Sequence, residues 1–276
     1  MTVSAKESER YLRQTAIPQI GAAGQERLVR ARVLIVGAGG LGSAAALYLA
    51  AAGVGALGIA DPDRVEISNL QRQILHGTAD LGRLKTASAA ETLHGLNPEV
   101  AVVEHAERLT AGNAAALLAD YELAIDACDN FATRYLLNDA CVLAGKPMVH
   151  AAVAGLGGQA TTVLPGRGPC YRCLHPRPPA APGDPAPGIL GAAAGFFGAI
   201  EAVEAVKCLL GIGELLVGRV LLADGLDMVV QTVAARRDPQ CAVCGEAATI
   251  TRLEASNYET TGGDSIGTNE RGAPGR

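Results

Sequence analysis

Residues 32–42 read R-V-L-I-V-G-A-G-G-L-G, and the interpretation of this stretch decides the fold. Val33 to Val36 form an unbroken aliphatic run, as expected of a strand buried on both faces of a parallel sheet. Gly37, Gly39 and Gly42 follow at G-x-G-x-x-G spacing. The first permits a tight turn, the second lets the backbone approach a phosphate, and the third lets a helix pack closely on the strand. From Ser43 the sequence S-A-A-A-L-Y-L-A-A-A favours a helix, whose N-terminal N–H groups point at any anion seated on the turn. Asp61 closes the next apolar run, Ala56 to Ala60, about 20 residues beyond Gly42, where a ribose hydroxyl partner belongs. This much predicts a nucleotide site in a βαβ unit. NAD is the default ligand of such a turn, and the rest of the chain argues against it.

Composition narrows the setting. The chain has 276 residues, 49% of them hydrophobic, enough for one α/β domain with a full core. Trp is absent and aromatics make up 3%, so that core is built from Ala, Val, Leu and Ile. A net charge of −5 argues against nucleic acid or an anionic membrane as the main partner. No apolar run reaches the roughly 18 uncharged residues of a membrane span, and the polar, acid-bearing start M-T-V-S-A-K-E-S-E-R is not a signal peptide. Seven cysteines, four of them in two C-x-x-C pairs, suit metal binding in a reducing compartment, so a cytoplasmic protein is expected.

Outward from the glycine turn, residues 61–73 (D-P-D-R-V-E-I-S-N-L-Q-R-Q) form an unusually polar loop between apolar positions. Carboxylate, amide and guanidinium groups beside a phosphate-binding turn suggest a site; an ordinary solvated loop is the alternative. Upstream, R-Y-L-R-Q (10–14) sets two arginines three apart on one side of a helical turn, which alone reads as a solvated N-terminal helix. Residues 84–96 predict an amphipathic helix with Lys85 near its start and Asn97-Pro98 at its end. A strand at 100–104, a helix at 111–119 and a strand at 123–128 follow, the last delivering Asp129 and Asn130 to the carboxyl edge of the sheet. A helix at 134–144 and a strand at 147–151 extend the pattern, and the alternation at 159–164 predicts an antiparallel extension. The prolines of 176–188 require an extended surface loop. Gly191–Leu210 reads as a long apolar helix against the sheet and 220–223 as a last strand, and beyond Glu246 the polar composition predicts disorder. No internal repeat and no second globular domain is evident.

Cys170 and Cys173, with Cys241 and Cys244, can supply four thiolates in tetrahedral geometry to Zn²⁺. The 67 residues between the pairs, Leu174 to Gln240, mean that the fold brings them together. Four protein ligands leave no open position, so the zinc would be structural; two unrelated redox dithiols are the competing reading. Cys128, Cys141 and Cys208 fall in apolar patterns and read as small core residues.

Taken together, R-Y-x-R-Q (10–14), G-A-G-G-L-G (37–42), D-x-D-x-V-x-x-S-N-L-Q-R-Q (61–73), D-N-F-A-T-R (129–134), C-Y-R-C (170–173) and C-x-x-C (241–244) resemble, in order, the motifs of the ThiF/MoeB family. Those proteins are bacterial relatives of ubiquitin-activating enzymes, and the resemblance covers residues 8–246. It implies an α/β, Rossmann-like, doubly wound and mostly parallel sheet with an antiparallel extension and a structural zinc site. Residues 9–246 would be one adenylation domain, with a nucleotide-binding half at about 30–150 and a crossover loop at 174–190. Residues 1–8 would be a flexible N-terminus and 247–276 a disordered tail. The implied reaction is ATP-dependent adenylylation of the C-terminal glycine of a ubiquitin-like sulfur-carrier protein with a Gly-Gly tail, as in the molybdenum cofactor or thiamine pathways. By similarity, Gly39, Gly40 and Gly42 cradle the phosphates, Asp61 binds the ribose, and Asn69, Arg72 and Lys85 contact the phosphates. Asp129 would hold Mg²⁺, and Arg13 would reach the ATP of a partner subunit, making a homodimer the expected unit.

Two departures qualify the resemblance. The family commonly has Pro before the Lys of its G-x-x-K run, whereas this chain reads Gly82-Arg83-Leu84-Lys85. More consequentially, family members that bond covalently to their carrier place a cysteine in the crossover loop. Here Asp184 stands roughly in its place, and no cysteine lies between Cys173 and Cys208. The expectation is adenylylation without a covalent enzyme–carrier intermediate, with sulfur from a separate persulfide donor, since no rhodanese-like domain follows residue 246. Other readings are adenylylation of a peptide or small-molecule carboxylate, a non-catalytic carrier-binding relative, and an NAD(P)-dependent reductase.

Overall fold

The aliphatic run becomes strand β1 (Arg32–Val36) in a computed structural model that describes residues 9–176 and 188–258. Its side chains alternate between two cores, Val33 and Ile35 facing one and Leu34 and Val36 the other, so the strand must be apolar throughout. Around it lie β2 (Ala56–Ala60), β3 (Ala101–His105), β4 (Leu123–Asp126), β5 (Met148–Ala154), β6 (Gly157–Val163), β7 (Arg219–Asp224) and β8 (Val229–Ala234). The order is β3-β2-β1-β4-β5-β6-β7-β8, parallel from β3 to β5 and antiparallel from β5 to β8. Strand order reverses between β1 and β4, which opens a crevice at their carboxyl ends.

The helices are α1 (Leu12–Thr15), α2 (Gly21–Arg30), α3 (Gly40–Ala51), α4 (Lys85–Leu96), α5 (Ala114–Ala119), α6 (Phe131–Ala144), α7 (Tyr171–Leu174) and α8 (Gly191–Leu210). Residues of α2, α3, α4 and α8 fill the first core; α5, α6 and α7 contribute to the second. Alanines and glycines let α3 and α8 approach closely. A Cβ on Gly198 would run into the carbonyl of Leu41, and one on Gly40 would come within 2.9 Å of Ala194 Cβ. This close seam makes a core possible with so few aromatics. At the N-terminus, Tyr11 is buried against Gly53 and its hydroxyl accepts a hydrogen bond from Asn97 Nδ2 (2.9 Å), which fixes α1 to the body.

The structure differs from the sequence reading in three places. The strand at 220–223 is not the last, because β8 pairs with β7 along its whole length. All six residues of β8 are exposed, so it lacks the one-sided burial that gives a strand its alternating signature. Helix α6 begins at Phe131 rather than Arg134, because Asn130 Oδ1 accepts from the Thr133 amide (2.9 Å) as an N-cap. Finally, residues 247–258, beyond Glu246, pack against the body. Ile250, Leu253 and Tyr258 pack on the second core, and the Tyr258 hydroxyl donates to Asp139 (3.2 Å). Residues 1–8, the crossover-loop segment 177–187 with Asp184, and 259–276 lie outside the described residues. Among the described residues no helix is long and apolar enough to cross a membrane.

Candidate active site

The crevice at the β1–β4 switch point measures about 1020 Å³. Gly39, Gly40, Asp61, Arg72, Lys85 and Asp129 line it, so six of the nine nucleotide-site and catalytic candidates converge on one space. The three glycines of the turn divide as their spacing predicts. Gly37 has φ +102° and abuts the Ala127 carbonyl, a conformation and proximity open only to glycine. Gly42 packs against the Gly37 carbonyl, buried and outside the crevice lining. Gly39 caps α3, and a Cβ there would meet nothing closer than Gln73 Nε2 at 3.8 Å, so its backbone faces the open crevice. The first amides of α3 have no carbonyl within the helix to bond and stand at that opening.

Buried side chains brace this turn from behind. Asp61, 5% exposed, accepts from the Ala38 amide through Oδ2 and from the Asp63 amide through Oδ1, both at 2.8 Å. Lys85, 6% exposed, lies 3.0 Å from Asp63 Oδ2 and 3.8 Å from Asp61 Oδ2. His76, which the sequence reading did not single out, is buried behind the turn, with Nε2 3.0 Å from the Ala38 carbonyl and Nδ1 2.8 Å from Ser88 Oγ. Burial pushes its pKa down, so the ring is neutral and the contacts assign the tautomer: Nε2–H donates to Ala38 and Nδ1 accepts from Ser88. Two consecutive contacts, Asp61 to the Ala38 N–H and His76 to its C=O, thus clamp the turn between Gly37 and Gly39. A His amid apolar residues carries no such signal in sequence.

Arg72 reaches the crevice from the far side, one guanidinium N–H donating to the Ser68 carbonyl (3.0 Å). Asn69 does not line it. Its Oδ1 accepts from the Glu66 amide (3.2 Å), capping a short 3₁₀ turn that precedes Arg72. Arg13 lies on α1, exposed and away from the crevice of its own chain.

Strand β4 ends at Asp126, wholly buried, and the next three residues carry Asp129 to the crevice rim. Asp126 Oδ2 lies 2.7 Å from His150 Nδ1 and 3.2 Å from Arg134 Nε, an ionic contact without good hydrogen-bond geometry. Its Oδ1 accepts from the Cys128 thiol (2.6 Å) and amide (3.3 Å). Burial opposes the charge, but Arg134 and His150 hold Asp126 below the usual carboxylate range. The same surroundings push the Cys128 thiol well up, through burial first and the Asp126 charge second. Asp129, by contrast, meets among the described residues only Asn130 Nδ2 at 3.5 Å. A carboxylate on the crevice rim is a donor that suits Mg²⁺, which takes one or two carboxylates and completes its shell with substrate phosphates and water.

Glu201 on α8 is also fully buried, with neither carboxyl oxygen in good hydrogen-bond geometry. Burial, then the nearby Asp126 charge, push it well above the usual carboxyl range against the counteracting Arg134. It is therefore protonated when folded and ionised when unfolded, and its contribution to stability falls as pH rises past its unfolded value of about 4.5. Glu201→Gln should accordingly raise Tm more at pH about 8 than at pH about 5. An equal Tm change at both pH values, measured by calorimetry, would show that Glu201 does not titrate between the two states.

Away from the crevice, Cys170, Cys173, Cys241 and Cys244 converge, their Sγ atoms all within 4.8 Å of one another. The separations Cys170–Cys173, Cys170–Cys241 and Cys173–Cys244 are 3.9, 3.5 and 3.4 Å. A tetrahedron with Zn–S bonds of about 2.3 Å has S···S edges of about 3.8 Å, so the four sulfurs fit zinc. The same contacts do not fit two independent redox dithiols, because each pair lies as near the other pair as to itself. Between the two ligands of the first pair, Tyr171 turns inward to line the crevice and stands edge-on to His150 (ring centroids 4.8 Å apart).

These features define a Rossmann-like nucleotide-binding protein with a four-cysteine cluster compatible with zinc. Residues 11–243 match the ThiF family, and the chain belongs to it. It is 46% identical over 267 residues to the sulfur carrier protein adenylyltransferase of Thermus thermophilus, covering 94% of this chain and 98% of that protein. It is 47% identical over 261 residues to the SAMP-activating enzyme E1 of Haloferax volcanii, covering 94% and 96% respectively. Among solved structures, E. coli MccB superposes with a TM-score of 0.77 at 23% identity, over 89% of this chain and 74% of that one, and shares the fold.

Proposed function

We propose that this protein is an ATP-dependent adenylyltransferase acting on the C-terminal glycine of a ubiquitin-like sulfur-carrier protein. The observation that carries the reading is the convergence of Gly39, Gly40, Asp61, Arg72, Lys85 and Asp129 on one crevice, in a chain that matches named carrier-activating relatives over nearly its whole length. In this reaction a carboxylate oxygen of the carrier bonds to the α-phosphorus of ATP. The bond to the bridging oxygen breaks, and pyrophosphate departs with the electron pair. Both reactants are anions, so the site must supply positive charge and alignment. Lys85 and Arg72 supply the cationic groups, the α3 amides receive phosphate oxygens, and Asp61 takes the ribose. Asp129 would hold Mg²⁺, which neutralises the phosphates. Arg13, remote from its own crevice, acts on a partner subunit's ATP in a homodimer. Asn69 serves by shaping the turn before Arg72.

No cysteine is placed to take the acyl group from AMP. Cys141 is deeply buried and its thiol is pushed up by burial, Cys208 sits on α8 outside the crevice, and four cysteines form the metal site. Cys128 does line the crevice, but it is buried, and burial and the Asp126 charge push its thiol well up, so it keeps its proton and donates a hydrogen bond to Asp126. In this reading sulfur comes from a separate persulfide donor, whose terminal sulfur attacks the acyl carbon of the adenylate and forms a C–S bond as the acyl C–O bond breaks and AMP leaves.

The test is ATP–pyrophosphate exchange with Mg²⁺ and each candidate carrier from the source genome. Exchange is expected with one carrier ending in Gly-Gly, and not with the same carrier shortened by its last glycine. ATP, but not NAD, should raise Tm, since a ligand bound only by the folded state stabilises it. ATP binding with no exchange on any carrier would move the acceptor to a peptide or small molecule, or make the protein a non-catalytic relative. NAD stabilisation without ATP stabilisation would overturn the reading.

A further inference from the structure

We propose that Asp126, braced by His150 and Arg134, is a positioning residue that fixes the Asp129 carboxylate where the nucleotide's metal must sit; this rests on the adenylyltransferase reading. The contacts converge on one residue, Cys128, and hold the peptide on either side of it. Asp126 Oδ1 receives the Cys128 amide and thiol, and Arg134 donates to the Cys128 carbonyl (2.7 Å). The backbone donor and acceptor of the residue immediately before Asp129 are thus both held by buried charged groups. Asp129's own side chain has only the long contact to Asn130. Among the described residues no closer contact orients it, so its place is set by the backbone that the clamp holds.

The chemistry of the clamp supports a role beyond stability. A buried ion pair costs desolvation that its attraction only about repays, and apolar replacement is often neutral or stabilising. Asp126, at the carboxyl end of an otherwise aliphatic strand, and Arg134, on α6 and lining the crevice, are 0% and 7% exposed. A Leu or Met there would fill the space, yet it would leave the Cys128 amide and carbonyl without partners. His150 adds direction. Its Nδ1–H fixes the carboxylate plane of Asp126, and its ring rests edge-on against Tyr171 of the cysteine knuckle. A chain of contacts therefore runs from the metal-binding cysteines through Tyr171, His150 and Asp126 to the residue before Asp129.

The test compares the parent with Asp126→Asn and with His150→Phe, the second removing the brace without leaving Arg134 unpaired. Loss of groups that orient a metal-binding carboxylate costs about 10- to 100-fold in metal affinity. The Mg²⁺ concentration giving half-maximal pyrophosphate exchange should rise by about that factor in Asp126→Asn and by less in His150→Phe, with the carrier KM unchanged. Mn²⁺ binding in the presence of a non-hydrolysable ATP analogue, followed by electron paramagnetic resonance, should weaken in parallel. Hydrogen–deuterium exchange in residues 126–130 should quicken, while ATP affinity without divalent metal holds. A lower Tm with unchanged Mg²⁺ and Mn²⁺ dependence would make the clamp purely structural and overturn the proposal. If Asp126→Asn does not fold, His150→Phe decides the matter alone. A parent that binds Mn²⁺ with the ATP analogue yet exchanges no pyrophosphate would overturn the adenylyltransferase reading. The metal-binding and hydrogen-exchange results would still decide the clamp.

Discussion

Asp129→Asn is expected to abolish adenylylation while leaving the fold and its metal knuckle intact. The residue sits on the crevice rim with its carboxylate all but free, so no internal hydrogen bond of good geometry is lost on substitution. An amide of the same shape keeps the Asn130 contact and gives up the charge. Among the described carboxylates that line the crevice, Asp61 and Asp63 are already engaged by backbone amides or Lys85 and Glu107 accepts from Asn113 Nδ2, which leaves the Asp129 charge to hold a divalent cation against triphosphate at this edge. Removing a preorganised charge-stabilising group of this kind costs about 10²–10³-fold, and losing the metal's whole contribution costs more. Pyrophosphate exchange should therefore fall by about 10³-fold or more, some 4 kcal/mol of barrier. Tm, zinc content and metal-free ATP binding should match the parent. Activity within tenfold of the parent would remove Asp129 from the site. A fall in Tm instead would show that the crevice rim depends on a contact other than those seen.

The contrast between Asp129 and Asp126 shows what the sequence could and could not disclose. Both acids stand at the carboxyl end of β4, three residues apart, and pattern alone marks that edge as a place for ligand groups. Which of them faces ligand depends on burial and on partners 8 and 24 residues away, Arg134 and His150, that only folding supplies. The glycine turn was legible in full because each glycine answers a local steric demand at Gly37, Gly39 or Gly42. The cysteine pairing was legible because i, i+3 thiols have few uses, whereas the inward turn of Tyr171 between them was not. Asn69 is a phosphate contact by resemblance alone; its side chain caps the turn that precedes Arg72, a contact that pattern does not disclose. Strand β8 and the packed residues 247–258 escaped notice for opposite reasons. The first buries nothing, and the second hides three anchoring residues in a polar segment.

Removing zinc should destabilise the protein more than any single crevice substitution. Four sulfurs join α7 to the 238–244 segment, and among the described residues no disulfide replaces that link. Structural zinc is worth about 10–16 kcal/mol in small peptides, much of it spent on folding the peptide itself. Here the surrounding structure already supplies part of that order. Arg172 is bidentate to buried Asp139, and the Tyr171 amide donates to Asn138 (2.8 Å). A loss of about 5 kcal/mol is a reasonable share, which for a domain of this size corresponds to a Tm lower by about 10–20 °C. Cys241→Ser, or exposure to a strong chelator, should produce it, with loss of zinc by elemental analysis. The sheet should survive, because its strands hydrogen-bond to one another and meet the cysteine segments only through side chains of the second core. Activity should nevertheless fall further than the stability loss alone requires, since Tyr171 and His175 line the crevice and lose their anchor with α7. An unchanged Tm in Cys241→Ser, with no zinc in the parent, would mean that the four thiols are merely neighbours. A lower Tm with full activity below the melting range would confine the knuckle to stability and separate it from the nucleotide site.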